Sequence, residues 1–408
     1  MRHILATALL TLSFQAWAHP PVHLDLEMDS SEYRELLKTL KPSKEVDHPA
    51  VAEALRLGER LSQWLAFENA RRTPETALRL TSPGTRRGIP IDSPSIYSEK
   101  TIEATNTALA AELPAVMKAV LDGAEFPAAL PISDEQFVLL ARRVDRNYQS
   151  AARYKSLLPW MSHYIAAKSK DVRSYHFFVT NGWTTTRFAD FNQLPAVEKE
   201  LVKGHLVGMC LNNGISTVEA CRNRVLQAEG LNSLGQLFAT LSAHSARVWR
   251  NFFDIPAYAV RNDVDHADPQ VMVMPFNTPS IPKFIPYLQD NVEEEFKFGD
   301  WGMKIVFGDF PDGAYLKFEP GVVPHVNGLG GNEIVMDSNQ PIEEYESQWT
   351  IRHEFGHVIG LPDCYHEFYD QQQGAFVNYQ LDVTDLMCSR AGNMNERIFN
   401  ELVRVYRN

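Results

Sequence analysis

Thr350-Ile-Arg-His-Glu-Phe-Gly-His-Val-Ile-Gly-Leu-Pro-Asp-Cys-Tyr365 is the stretch on which the reading of this chain turns. His353 and His357 stand one helical turn apart, so on a helix both imidazoles leave the same face and can grip one metal ion. Glu354 follows the first histidine and points beside such an ion, where a carboxylate can take a proton from a metal-activated water and return it to a leaving group. A catalytic zinc takes three protein ligands and keeps one position open. Gly360 ends the helix in a conformation other residues resist, Pro362 stiffens the turn, and Asp363 is carried back as the third ligand. The expected cofactor is one catalytic Zn²⁺ held by His353, His357 and Asp363.

The string His-Glu-x-x-His-x-x-Gly-x-x-Asp resembles the metzincin clan of zinc peptidases in its variant with an aspartate as third ligand. His357 to Tyr365 is similar to the snapalysin-like family. That resemblance covers the chain from about residue 270 onward and is strong only between Thr350 and Ser389. It implies a twisted sheet with two helices, the second bearing the ligands, and a methionine in a tight turn beneath the metal. Met387, within Asp385-Leu386-Met387-Cys388-Ser389, fits that turn. It also implies an edge strand that pairs with extended substrate; Asn332, Glu333, Ile334, Val335 and Met336, just before the ligand helix, are matched to it. Tyr365, Tyr369 and Tyr379 are the candidates for stabilising an oxyanion, with nothing to choose among them. The span from Asp363 to Met387 is longer than a minimal member of the family suggests.

Rival ligand sets are poorer. A zinc peptidase of the gluzincin type needs a downstream glutamate, but no Glu occurs between Glu367 and Glu396, and Phe376 stands where it would fall. His366 is off the offset of Asp363. A copper site at His19 has no second histidine partner.

Around this motif, the chain of 408 residues is 44% hydrophobic and 22% charged, enough apolar material for more than one core. From Ser30 to Phe253 the apolar spacing is helical, with segments over Val51–Arg71, Thr101–Leu121, Asp134–Ala167 and Leu231–Phe253. The aromatic residues between Asn147 and Tyr164 read there as core. After Asp254 come short β-like runs at Val271–Phe276, Met303–Phe307, Ala314–Phe318 and Asn332–Met336, with helices expected over Ile285–Phe298 and Ile342–Ile359. The expected class is therefore α+β: residues 19–254 a mainly α-helical domain, propeptide or accessory, and residues 255–408 a metzincin-like catalytic domain.

Residues 1–18 carry Arg2 and His3 ahead of an apolar run and end in Ala16-Trp17-Ala18, the order of a cleaved signal peptide, so a secreted or periplasmic protein is expected. No later stretch approaches the roughly 18 apolar residues of a membrane span. Four cysteines suit an oxidising compartment; proximity pairs Cys210 with Cys221 and Cys364 with Cys388, although other connectivities are open. From residue 270 onward there are 9 Lys and Arg against 21 Asp and Glu, so the whole net charge of −12 lies there, which disfavours nucleic acid. The expected partner is a protein or peptide substrate. The competing expectation is a catalytically inactive peptidase-fold binding module.

Overall fold

A computed structural model describes residues 48–81, 94–213 and 217–407. The expected signal segment, residues 1–18, and the mature terminus at His19 lie outside the described residues.

The first half is built from helices: α1 (Pro49–Asn69), α2 (Glu99–Glu112), α3 (Ala115–Leu121), α4 (Asp134–Leu157), α5 (Met161–Ala167), α6 (Arg173–Thr180), α7 (Ala196–Asn212), α8 (Val218–Gly230) and α9 (Leu234–Phe253). Pro49 opens α1 at a position where its missing N–H costs nothing. Its Leu57, Leu61, Trp64 and Leu65 form a stripe that packs with Phe137, Ala141 and Val144 of α4. Two segments that read as single helices are broken by proline. Pro114 separates α2 from α3, and Pro159 sits in a 3-10 turn between α4 and α5. In both places the ring removes an N–H and crowds the preceding turn.

The second half follows: β2 (Val271–Asn277), α10 (Phe284–Leu288), β3 (Lys297–Phe298), β4 (Trp301–Gly308), β5 (Tyr315–Glu319), β6 (His325–Val326), β7 (Glu333–Asp337), α11 (Tyr345–Val358), β8 (Tyr365–Asp370), β9 (Ala375–Gln380) and α12 (Glu396–Tyr406); β1 (Ser95–Tyr97) belongs to the first half. The helix expected over Ile285–Phe298 is shorter: α10 passes into a π turn at Gln289–Glu293, and Phe298 lies in β3. β2 and β4 pair in parallel from Val271↔Gly302 to Asn277↔Gly308, and β5 and β7 in parallel from Tyr315↔Glu333 to Glu319↔Asp337. A bridge between Phe276 and Ala314 joins the two sets, so the strands run in the order β3-β4-β2-β5-β7-β6. Met272, Met274, Phe276, Ile334 and Met336 of these strands share one core with Ile351, Phe355 and Val358 of α11. The chain is thus a mixed α and β structure.

One expectation is corrected by the register. The segment Asn332–Met336 is not an edge. β7 lies between β5 and β6, and His325 and Val326 pair antiparallel with Val335 and Ile334. The outer position belongs to β6, too short to be read from alternation.

The two halves are interlocked rather than strung in series. β1 adds antiparallel to β9 to give the sheet β1-β9-β8, and Val172 and Phe253 enter the core of the second half. Along the seam Tyr148 of α4 donates to the buried carboxylate of Asp337 at 2.5 Å, while Leu80 N, Thr81 N and Thr81 Oγ1 donate to Glu344, the residue just before α11. Among the described residues no helix is long and apolar enough to cross a membrane.

Asp145, also on α4, accepts from Gln340 at 2.7 Å and from Gln149 at 2.8 Å. Burial pushes its carboxyl up from the ordinary 3.8 to about 7, with the Gln340 hydrogen bond opposing and Glu346 and Glu344 adding to the rise. A raised folded value means that the stabilising proton is fully held below the ordinary value and lost as the pH climbs through about 7. Asp145→Asn, which cannot ionise, is therefore expected to gain stability over the native chain as the pH is raised from about 4 to about 8. Urea midpoints of both proteins at the two ends of that range check it; a difference that does not grow with pH would dismiss the seam carboxyl as a titrating group.

Candidate metal centre

α11 presents His353 and His357 on one face, with ring centroids 4.9 Å apart. Nδ1 of His353 lies 2.9 Å from the Leu386 carbonyl, and Nδ1 of His357 lies 2.8 Å from the Leu361 carbonyl. A carbonyl only accepts, so each ring carries its proton on Nδ1 and turns Nε2 inward as a lone pair. The helix then ends as the sequence implies. Gly360 takes φ +86°, and a side chain there would strike the Ala259 carbonyl and Ile255. The Leu361 amide bonds back to the Gly356 carbonyl at 2.9 Å, and the chain reverses through Pro362.

Asp363 is delivered to the two rings. Its Oδ1 sits 3.0 Å from His353 Nε2 and 3.2 Å from His357 Nε2. That oxygen is buried and receives no conventional hydrogen bond, whereas Oδ2 accepts from the Tyr365 hydroxyl at 2.7 Å. Two nitrogen lone pairs facing a carboxylate oxygen repel unless a cation lies among them. A proton meets that need for one ring: burial lowers the His357 imidazolium, the Asp363 carboxylate outweighs it, and the value rises to about 9. The converse holds for Asp363, which the histidines keep well below the usual carboxylate range despite burial. A metal ion meets it for both rings at once. Tetrahedral zinc with bonds of about 2.0–2.2 Å spaces its ligand atoms roughly 3.3–3.5 Å apart. The two distances from Asp363 Oδ1, 3.0 and 3.2 Å, are close to that spacing, all three donors lie within 4.8 Å of one another, and nitrogen and carboxylate oxygen are a zinc donor set, so the residues fit the ion.

Beneath the rings lies the turn from Asp385 to Ser389. Asp385 Oδ1 accepts from the Met387 amide at 2.9 Å, and the Cys388 and Ser389 amides return to the Asp385 carbonyl. Met387 is fully buried, and its sulfur would lie only 2.3 Å from a Cβ placed on Gly356. A glycine between the two ligands is what lets this methionine reach the helix. The same turn offers the Leu386 carbonyl to His353 and bonds through Cys388 to Cys364, the residue after the third ligand. Cys210 is bonded to Cys221, so neither thiol is available to the metal.

Glu354 lines the cleft that opens above the rings, and burial raises its carboxyl above the ordinary value. The cleft has a volume of about 970 Å³ and two walls. One is the segment Val322–Val326 leading into β6; the other comes from the helical half, with Tyr148, Arg153 and Tyr164. Among the three tyrosines considered for an oxyanion, Tyr365 alone lines the cleft. Tyr369 packs on Phe376 away from the rings, and Tyr379 is covered by the Arg173 guanidinium on the far face of the hairpin. His366 is likewise on that far face, buried between Phe252 and Phe368, with burial pushing its ring down to about 4. It is not a ligand. Tyr164, read from sequence as core, is a cleft residue that periodicity could not single out.

No protein-family model, curated protein or solved structure matches the chain.

Gly356→Ala tests the turn under the metal. Alanine favours a helix by up to about 1 kcal/mol over glycine, but here its Cβ overlaps the Met387 sulfur, and overpacking of that kind costs roughly 1–3 kcal/mol. A lower thermal midpoint is expected, recovered in part by adding Met387→Ala. A midpoint that rises with Gly356→Ala alone would mean that the methionine is not packed against this face.

Proposed function

We propose that this protein is a zinc-dependent endopeptidase of metzincin type. The observation that carries the reading is the convergence of His353 Nε2 and His357 Nε2 on Asp363 Oδ1, at 3.0 and 3.2 Å, with Glu354 lining the same cleft. The parallel strands with a short antiparallel strand at each outer edge, the helix bearing both histidines and the methionine turn below it support the same reading. The two disulfides suit an oxidising compartment, in keeping with a secreted protein.

A zinc ion held by these three side chains supplies Lewis acidity toward the scissile carbonyl and acidifies the attacking water. Glu354 takes the proton released by that water onto its carboxylate and passes it to the departing amide nitrogen, so that the C–N bond breaks to a neutral amine. Burial raises the affinity of this carboxylate for a proton, which suits a group that must accept and then return one. The carbonyls of Leu386 and Leu361 fix Nδ1 of His353 and His357, so that Nε2 of each ring would be the atom that meets the ion. An extended peptide laid along the outer side of β6 would pair main chain to main chain, taking over the role first matched to Asn332–Met336. The opposite wall is supplied by α4 and α5 of the helical half.

The purified protein is expected to hold one zinc per chain and to cleave casein, with activity lost on chelation and restored by zinc. Glu354→Gln should keep the zinc and lose activity by about 10²–10⁴-fold, the usual share of a general base. Stoichiometric zinc in the native chain without cleavage of any peptide in a diverse library would refute the peptidase and favour a binding module.

A further inference from the structure

Arg153 belongs to α4, in the helical half of the chain, yet its guanidinium ends beside the third ligand. Nη2 donates to Glu367 Oε2 at 2.7 Å, Nε donates to Glu367 Oε1 at 3.3 Å, and Nη2 also reaches the Tyr365 hydroxyl oxygen at 3.4 Å. The Glu367 carboxylate is only 4% exposed and the Arg153 side chain 24%, so the pair is shielded on the protein side of the cleft. Alternation along β8 puts Tyr365 and Glu367 on one face of the strand, the face turned to α4. The hydroxyl of Tyr365 in turn donates to Asp363 Oδ2 at 2.7 Å.

The direction of each bond follows from the groups themselves. A guanidinium only donates. The Tyr365 oxygen therefore accepts from Arg153, and its single proton goes to Asp363 Oδ2. That oxygen is thereby occupied, and Oδ1 alone is left facing the two histidines, at 3.0 and 3.2 Å. We infer that Arg153 is a positioning residue of the metal centre: through Tyr365 it holds Asp363 as a one-oxygen ligand, and the helical half is a permanent part of the site rather than a segment to be removed. The inference rests on the zinc reading above. Removing residues up to 254 would leave the buried Glu367 carboxylate without its cation and the Tyr365 hydroxyl free to turn.

Metal binding, rather than turnover, is the measurement. Apo protein is titrated with Co²⁺ alone, followed by its visible ligand-field bands, and zinc affinity is read by competition with a chromogenic chelator. The variants are Tyr365→Phe, which removes only the hydroxyl, and the double variant Arg153→Met with Glu367→Gln, which removes the cation without stranding a buried charge. Each is checked for folding by its thermal melt. Loss of an outer partner of a metal ligand typically weakens binding about 10–100-fold, and that is expected for both variants, with altered cobalt bands. Combining all three changes is expected to cost little more than either alone, because they act on one chain of bonds. Folded variants that bind zinc as tightly as the native chain, with unchanged cobalt bands, would overturn the role of Arg153 while leaving the zinc site standing. A native chain that takes up neither metal would remove the zinc reading itself and the inference with it.

Discussion

The arrangement on which everything else rests is electrostatic. Two imidazoles, each committed through Nδ1 to a backbone carbonyl, face one buried carboxylate oxygen with their lone pairs. Such a cluster is repulsive until positive charge lies within it, whether a proton on one ring or a metal ion shared by both. The surroundings are built to keep the rings from turning away. Leu361 follows the helix end that Gly360 makes possible, Leu386 is part of the methionine turn, and the Cys364–Cys388 bond ties that turn to the ligand segment. The site is held from the backbone outward, which keeps the three converging side chains in register with one another.

The helical half gives this site its second wall. Besides apolar packing, it meets the rest through polar pairs at the seam: Tyr148 with Asp337, Leu80 and Thr81 with Glu344, Arg153 with Glu367. Buried carboxylates are costly unless every one is matched, so these pairings act as a registry between α4 and the segments on either side of α11. The added strand β1 on β9 fixes the same register from the other side of the hairpin. The turn before the ligand-bearing helix and the strand after Asp363 both touch one helix, α4, from the first half of the chain.

Where the structure departs from expectation, the cause lies in contacts distant along the chain. The long span between Asp363 and Met387 is the hairpin β8–β9, whose strands are held in a three-stranded sheet by a partner more than 250 residues earlier in numbering, Ser95–Tyr97. Both faces of that hairpin are covered, so no clean polar and apolar alternation announces it. The outer strand β6 is two residues long and carries no period to detect. By contrast α12 was legible in principle: Asn395 caps it, and Ile398 and Leu402 lie one turn apart on its buried face.

Legible in the sequence were the three side chains that converge, His353, His357 and Asp363, the neighbouring carboxylate Glu354, the helix-ending glycine and the methionine beneath, along with the pairing of cysteines by proximity. These are local relations, set by the pitch of one helix and the turn that follows it, and a linear spacing records them faithfully. Only the tertiary structure decided that β7 is interior, that Tyr365 and not Tyr369 or Tyr379 faces the cleft, and that Arg153 stands behind the third ligand. Those facts depend on which face of a strand meets which helix after the chain has closed on itself, and no spacing between neighbours encodes that choice.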